Sequence, residues 1–333
     1  MAYSLPNNQL CNSITFDGLN KTDRSGLSIA LSLAGMPYRG IFGRPETSMG
    51  PPPRIGLALG GGFARGIAHV GVLRIFERHG IPIHCITGVS AGSIVAAAYA
   101  SGASPDEIAS AACSMRFGDV ARWSLSRMGF VVSKRMTRFL QKLLKHHCFE
   151  KMPTPLGVVA TDLCTGEPVS FRDTGDVFLP IRASCSYPGL FQPVRSGGRV
   201  LVDGAMSIGI PALLGRELGA THIVSVHLPA PPCGRPPADV FQVIRRCFQI
   251  MQIRSEDGWR QASDLVITPD LRDIAWDGFE CGPELVSAGE AAALAVLPRI
   301  ESWLSGVPGQ CSEGRDPSLS TPFPTESASP EPA

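Results

Sequence analysis

Ile55-Gly56-Leu57-Ala58-Leu59-Gly60-Gly61-Gly62-Phe63-Ala64-Arg65-Gly66 is the stretch that decides the fold. Five residues of an apolar, strand-like run stop at three glycines. A helical pattern follows, with apolar positions Ile67, Val70, Val72, Leu73, Ile75 and Phe76, and it ends near Gly80-Ile81-Pro82. Strand, glycine loop and helix together aim free backbone N–H groups and a helix N-terminus at one spot. Glycine lets that backbone approach a bound group closely. The occupant is an anion, either an oxyanion or a phosphate. A dinucleotide fingerprint starting at Gly60 needs glycine where Arg65 stands, and Glu77 comes too early for a ribose contact. A P-loop fails because no Gly-Lys-Ser/Thr follows.

Working outward, His84-Cys85-Ile86-Thr87 reads as a second strand, and Ile94 to Ala100 is small, apolar and helix-forming. Between them lies Gly88-Val89-Ser90-Ala91-Gly92, a G-x-S-x-G segment at a strand-to-helix turn. Gly88 and Gly92 leave room for a sharp turn, the helix N-terminus favours negative charge at Ser90, and the Ala91 N–H is a further oxyanion donor. Serine at its free pKa is a poor nucleophile and needs a base. Asp203, in Asp203-Gly204-Ala205, is one candidate; a histidine following it in chain order is another. His222 opens the run Ile223-Val224-Ser225-Val226 and reads as a structural residue at a strand end, whereas His227 closes that run and stays a candidate. His69 belongs to the helix after the glycine loop and reads as a packed or capping side chain. His146 and His147 sit in a basic, solvated stretch.

Four blocks now stand in order: Gly60 to Gly66, Gly88 to Gly92, Ala183-Ser184-Cys185-Ser186-Tyr187-Pro188, and Asp203-Gly204-Ala205. Together they resemble the patatin-like phospholipases, in the bacterial branch similar to the neuropathy target esterase catalytic domain. Arg65 to Leu73 and Leu265 to Asp270 resemble the family's text as well, so the likeness spans roughly residues 54 to 304. The resemblance implies an α/β fold, a three-layer α/β/α sandwich with a mainly parallel central sheet. It implies a Ser–Asp dyad, with Ser90 as nucleophile and Asp203 as base. It also implies an oxyanion hole from Gly60, Gly61 and Gly62, with Arg65 ordering that loop electrostatically. Burial would raise the pKa of such a carboxylate and make it a better base. The implied substrates are phospholipids or lysophospholipids. The family often places a second glycine and an asparagine after the aspartate, where this chain has Ala205 and Met206.

Composition narrows the rest. The chain has 333 residues, 44% hydrophobic, enough for one substantial core. A formal net charge of +1 gives no case for nucleic acid. The longest apolar run, Ile86 through Ala100, is broken by the serine turn and falls short of a membrane span. Ten cysteines without a C-x-x-C pair, several such as Cys85, Cys113 and Cys185 in apolar contexts, read as buried free thiols in a reducing, cytoplasmic compartment. No metal-ligand spacing and no cofactor motif is present. Residues 1–53 read as a polar extension; its apolar stretch Leu27 to Met36 lacks the basic lead of a signal peptide, and Met49 is an expected alternative start. Residues 54–304 form the hydrolase domain, and residues 305–333 read as a disordered Pro/Ser/Glu-rich tail.

From Arg116 to Lys151, nine Lys/Arg stand against Asp119 and Glu150, while Met136, Phe139, Leu140, Leu143 and Leu144 keep helical spacing. The bland expectation is a surface helix docked by its apolar stripe. The sharper one is a basic face meeting an anionic membrane surface, which gives a peripheral position at the membrane. Three functional readings follow: a serine acyl hydrolase of (lyso)phospholipids, a histidine-assisted carboxylesterase of small esters, and a non-catalytic lipid-binding regulatory protein. The last needs no Ser90, glycine loop and Asp203 together.

Overall fold

A computed structural model describes residues 52–305 except 117, 119–121, 124–130, 133 and 230–235. The expected extension through residue 51, with the Met49 start, and the tail from residue 306 lie outside the described residues.

The first strand, β1 (Ile55–Leu59), leads through the glycine loop and a short 3-10 turn into α1 (Ala68–Arg78). β2 (Ile83–Val89), α2 (Ala91–Ala100) and α3 (Pro105–Ser114) follow, then the two-residue strands β3 (Arg122–Trp123) and β4 (Val131–Val132) and helix α4 (Lys134–Leu143). The second half holds β5 (Leu156–Asp162), β6 (Pro168–Phe171), α5 (Phe178–Ser184), β7 (Val194–Ser196) and β8 (Arg199–Asp203). It continues with α6 (Ala212–Glu217), β9 (His222–Val226), α7 (Val240–Arg254), α8 (Glu256–Gln261), β10 (Leu265–Ile267) and α9 (Gly282–Ser305).

The eight-stranded sheet runs β10-β9-β1-β2-β5-β8-β7, with β6 also on β5. The five strands from β10 to β5 pair in parallel; β6, β8 and β7 attach antiparallel. Short connections explain the antiparallel β5–β6 and β7–β8 pairs, because a parallel crossover needs a dozen residues or more. β7 and β8 are joined by Gly197-Gly198, both at positive φ as a two-residue hairpin turn requires.

Alternation along β1 assigns the layers. Ile55, Leu57 and Leu59 point into the larger core with α1, α2, α3 and α9, while Ala58 joins Cys85, Ile223, Ala212 of α6 and Trp259 of α8 on the opposite face. Helices therefore cover both faces, as the α/β/α expectation requires. α1 and α9 cross so closely that a Cβ on Gly71 would lie 2.0 Å from the Val286 carbonyl oxygen, and one on Gly289 would lie 2.0 Å from that of Ala68.

α4 buries Met136 and Leu140 and exposes Arg135, Arg138 and Lys142, so the basic segment is docked by its apolar stripe. Cys85 and Cys185 are buried, but Cys113 is exposed, because it sits in the last turn of α3 where that helix leaves the core. Among the described residues no helix is long and apolar enough to cross a membrane.

Candidate active site

The turn from β2 into α2 places Ser90 at φ 53°, ψ −127°, a strained conformation for a residue with a side chain. Gly92 makes the turn possible: a Cβ there would stand 2.5 Å from the Leu59 carbonyl oxygen and 2.6 Å from that of Gly60. The Ser90 backbone is pinned on both sides. Its N–H donates to Ser184 Oγ at 2.8 Å, and its carbonyl accepts from Ser93 N–H at 2.9 Å, Ser93 Oγ at 2.6 Å and Cys185 Sγ at 3.2 Å. The side chain is left to point at Asp203, and Ser90 Oγ donates to Asp203 Oδ2 at 2.7 Å.

Asp203 ends β8 and caps the short turn Gly204–Met206, its Oδ1 accepting the Ala205 N–H at 2.9 Å. Its own N–H donates to the Ser186 carbonyl at 3.0 Å, and its carbonyl accepts from Thr161 Oγ1 at 3.0 Å. The residue is 1% exposed. Burial pushes the carboxyl up to about 7, against the smaller opposing effect of the hydrogen bonds from Ser90 and Ala205. Burial foremost, and the nearby Asp203 charge next, also hold the Cys185 thiol and the Tyr187 hydroxyl in their neutral forms.

The glycine loop divides its three amides. Gly60 N–H is taken by the Val226 carbonyl of β9 at 3.1 Å, so it is committed to the sheet and is not a free donor. The amides of Gly61 and Gly62 have no acceptor among the described residues. Gly61 lies alongside the serine, where an added Cβ would be 3.3 Å from Ser90 Cβ. Ala91, first residue of α2, has no intrahelical acceptor for its N–H and faces the same pocket as Ser90. Arg65 does not point into that pocket. Its guanidinium donates to the carbonyls of Ile274 at 2.5 and 3.0 Å and of Pro229 at 3.0 Å, tying the loop to the segments that follow β9 and β10.

Ser90 and Asp203 open onto a cavity of about 90 Å³ with an otherwise almost wholly apolar lining. Ile108 and Met115 on or beside α3, and Met136, Phe139 and Leu143 on α4, form part of its wall. No group of three or more His, Cys, Asp or Glu converges as metal ligands among the described residues.

The histidines stand elsewhere. His227 Nε2 lies 3.3 Å from Glu256 Oε1, Nδ1 lies 3.5 Å from Arg260, and the ring packs on Trp259. It lines a separate cavity of about 100 Å³ and not the one holding Ser90. His222 bonds Thr221 and packs on Trp303, as a strand-end residue does. His69 is fully buried with Nε2 at 2.9 Å from the Gly60 carbonyl, so Nε2 carries the proton and braces the glycine loop. Burial pulls its pKa down to about 4 and keeps it neutral.

Sequence reasoning left Ser184, Thr161 and the His69–Gly60 bond without roles. Ser184 lies inside a block that carried a resemblance, which was the available signal. Thr161 sits in a strand with no motif, and only the fold brings it to Asp203.

Comparison with known proteins adds four findings. A family model described as Patatin-like phospholipase matches residues 57–214. An NTE family protein of Mycobacterium bovis is 33% identical over 267 residues, spanning 79% of this chain and 72% of that one. A lysophospholipase, NTE1, of Debaryomyces hansenii is 32% identical over 180 residues, which are 52% of this chain and 12% of that protein. Among solved structures, VipD from Legionella pneumophila aligns over 75% of this chain and 67% of that one, with a TM-score of 0.44 and 14% identity.

Proposed function

This chain belongs to the patatin-like phospholipase family, and from that premise we propose that it is a serine acyl hydrolase of phospholipids or lysophospholipids working through Ser90 and Asp203. The observation that carries the reading is the 2.7 Å hydrogen bond from Ser90 Oγ to a buried carboxylate. A carboxylate poised near about 7 accepts a serine proton far better than one at its ordinary pKa.

In the first half-reaction Asp203 takes the Ser90 proton as Oγ attacks the ester carbonyl. The oxygen that gains charge is met by the free amides of Gly61 and Gly62 and by Ala91 N–H at the start of α2. The neutral Asp203 then protonates the departing alcohol, and the acyl group stays on Ser90. In the second half-reaction Asp203 activates water, and the acid leaves. Gly60 and Arg65 serve by holding the loop: one through the sheet, the other through the Pro229 and Ile274 carbonyls. The apolar cavity suits an acyl chain, and the name of the Debaryomyces relative supports a lysophospholipid. The exposed basic side chains Arg135, Arg138 and Lys142 of α4 supply attraction to an anionic membrane surface. Seven described cysteines, all free, support a cytoplasmic setting.

The purified chain, offered p-nitrophenyl butyrate and lysophosphatidylcholine, tests the reading. Ser90→Ala and Asp203→Asn should each lower kcat by about 10³-fold or more, as loss of a member of such a unit does. His227→Ala should keep kcat within about threefold, as expected of a side chain that touches no reacting atom. Equal damage from His227→Ala and Ser90→Ala would reject the dyad in favour of a histidine-assisted esterase.

A further inference from the structure

Helix α7 is amphipathic in the wrong direction for a helix whose outer side meets water. At about 100° per residue, Val240, Val243, Cys247, Ile250 and Met251 fall on one side of it. That side faces outward: Val240 is 73% exposed and Met251 54%, and Cys247 is exposed too. Eight large hydrophobics are exposed among the described residues, and five of them, Val240, Val243, Ile250, Met251 and Ile253, belong to this single helix. Scattered exposed apolar residues are ordinary, but a contiguous stripe marks an interaction surface.

The other side of α7 leans on the rim of the Ser90 pocket. Phe248 meets Tyr187, a pocket residue, with ring centroids 5.5 Å apart. Phe241 and Arg245 both pack on Trp276, which in turn packs at a tilt on Phe63 of the pocket, with ring centroids 4.6 Å apart. Charge supplies the remaining observation. From Val240 to Arg254 the helix carries Arg245, Arg246 and Arg254 and no acidic residue. An exposed apolar stripe on a basic helix is the chemistry of an element that lies in the plane of an anionic lipid interface.

We propose that the outward face of α7 is the surface by which this protein seats itself on an anionic bilayer, at the side of the pocket from which a lipid substrate arrives. The proposal rests on the reading of Ser90 as the centre of a lipid ester hydrolase. It differs from attraction by α4, which shows charge without any large exposed hydrophobic. In this division α4 attracts and α7 inserts.

Cys247 is a built-in reporter. The full chain is treated briefly with a maleimide, and labelling of Cys247 is read by peptide mass spectrometry, with exposed Cys164 on the β5–β6 turn as internal control. Vesicles of phosphatidylcholine with phosphatidylglycerol should slow Cys247 labelling about tenfold, as burial at the headgroup boundary does, and leave Cys164 unchanged. Phosphatidylcholine alone should protect less. Val243→Glu with Ile250→Glu should abolish the protection and the co-sedimentation with vesicles, and p-nitrophenyl butyrate turnover reports that the fold is intact.

Equal labelling with and without vesicles overturns the proposal. Protection that grows with protein concentration in the absence of lipid overturns it in favour of a second copy of the chain. Protection that depends on neither overturns it in favour of cover by another segment of the same chain. Failure of the catalytic reading looks different: Cys247 is protected by vesicles, but neither p-nitrophenyl butyrate nor lysophosphatidylcholine is hydrolysed.

Discussion

Ser90 Oγ donates to one oxygen of Asp203 at 2.7 Å while the other oxygen accepts the Ala205 N–H at 2.9 Å. Two donors are few for a carboxylate that is 1% exposed, since each ionised oxygen accepts at least two hydrogen bonds in water. Desolvation therefore outweighs hydrogen bonding and pushes the group up to about 7. Asp203 works as a base only when ionised. The value of kcat/KM for a soluble ester should thus climb through a single step near pH 7 and level off above it. A stopped assay from pH 5 to 9 checks this, and a profile already flat at pH 5 would contradict it.

The same shift predicts a stability effect in the opposite direction. The folded state holds the Asp203 proton up to about pH 7, whereas the unfolded chain releases it near the ordinary aspartate value of 3.8. The stability linked to this group is complete below pH 3.8 and is lost as pH rises to about 7. Asparagine keeps the acceptor for Ala205 N–H and never ionises. Asp203→Asn should therefore raise stability above pH 7 by an amount on the order of a few kcal/mol, with Tm rising accordingly, and the gain should vanish toward pH 4. Thermal scans at pH 4, 6 and 8 read it directly.

His69 tilts stability the other way over nearly the same range. Its folded pKa of about 4 lies below the unfolded 6.5, so its contribution is present above pH 6.5 and lost as pH falls through about 4. Wild-type Tm should change little across that window, because Asp203 and His69 oppose each other. His69→Leu should remove the loss on acidification and expose the Asp203 slope. It should also lower kcat by about tenfold or more with little change in KM, because the Gly60 carbonyl loses its brace and the oxyanion amides lose their aim. His69→Gln, which keeps a donor, should recover most of the rate. The pH midpoint near 7 should stay in both variants, which separates a positioning residue from the base itself.

The site was legible in the sequence because its parts are local. The loop Gly60 to Gly66 and the turn around Ser90 are each strand–turn–helix units whose glycines are dictated by close backbone approach. Asp203 was legible by resemblance to an ordered set of blocks, and not by any local pattern. What stayed hidden depends on pairs distant along the chain. Arg65 reaches Ile274 across 209 residues, and Gly60 spends its amide on Val226 because β9 happens to lie beside β1. Helix α7 shows a third limit: periodicity reveals that a helix has two faces but not which of them the core occupies. Here the core side took Phe241 and Phe248, and the outer side was left apolar.

The crossing of α1 and α9 supports the site from behind. A Cβ on Gly289 would lie 2.0 Å from the Ala68 carbonyl oxygen and 3.2 Å from Gly71 Cα, and all of these are backbone atoms that no rotamer change relieves. The helices would have to separate, and Ala68 is the first residue of the helix that anchors the glycine loop. Gly289→Ala should cost roughly 3 kcal/mol or more, or prevent folding altogether, as backbone overpacking does. Any folded fraction should lose turnover along with stability, because the loop moves with α1. Gly258 is the matched control: it lies in α8 with nothing within 4 Å of an added Cβ. Gly258→Ala should stabilise by about 0.5–1 kcal/mol through helix propensity and leave turnover unchanged. Urea midpoints for the two variants decide the point, and a neutral Gly289→Ala would show that α1 and α9 are not held in this close crossing.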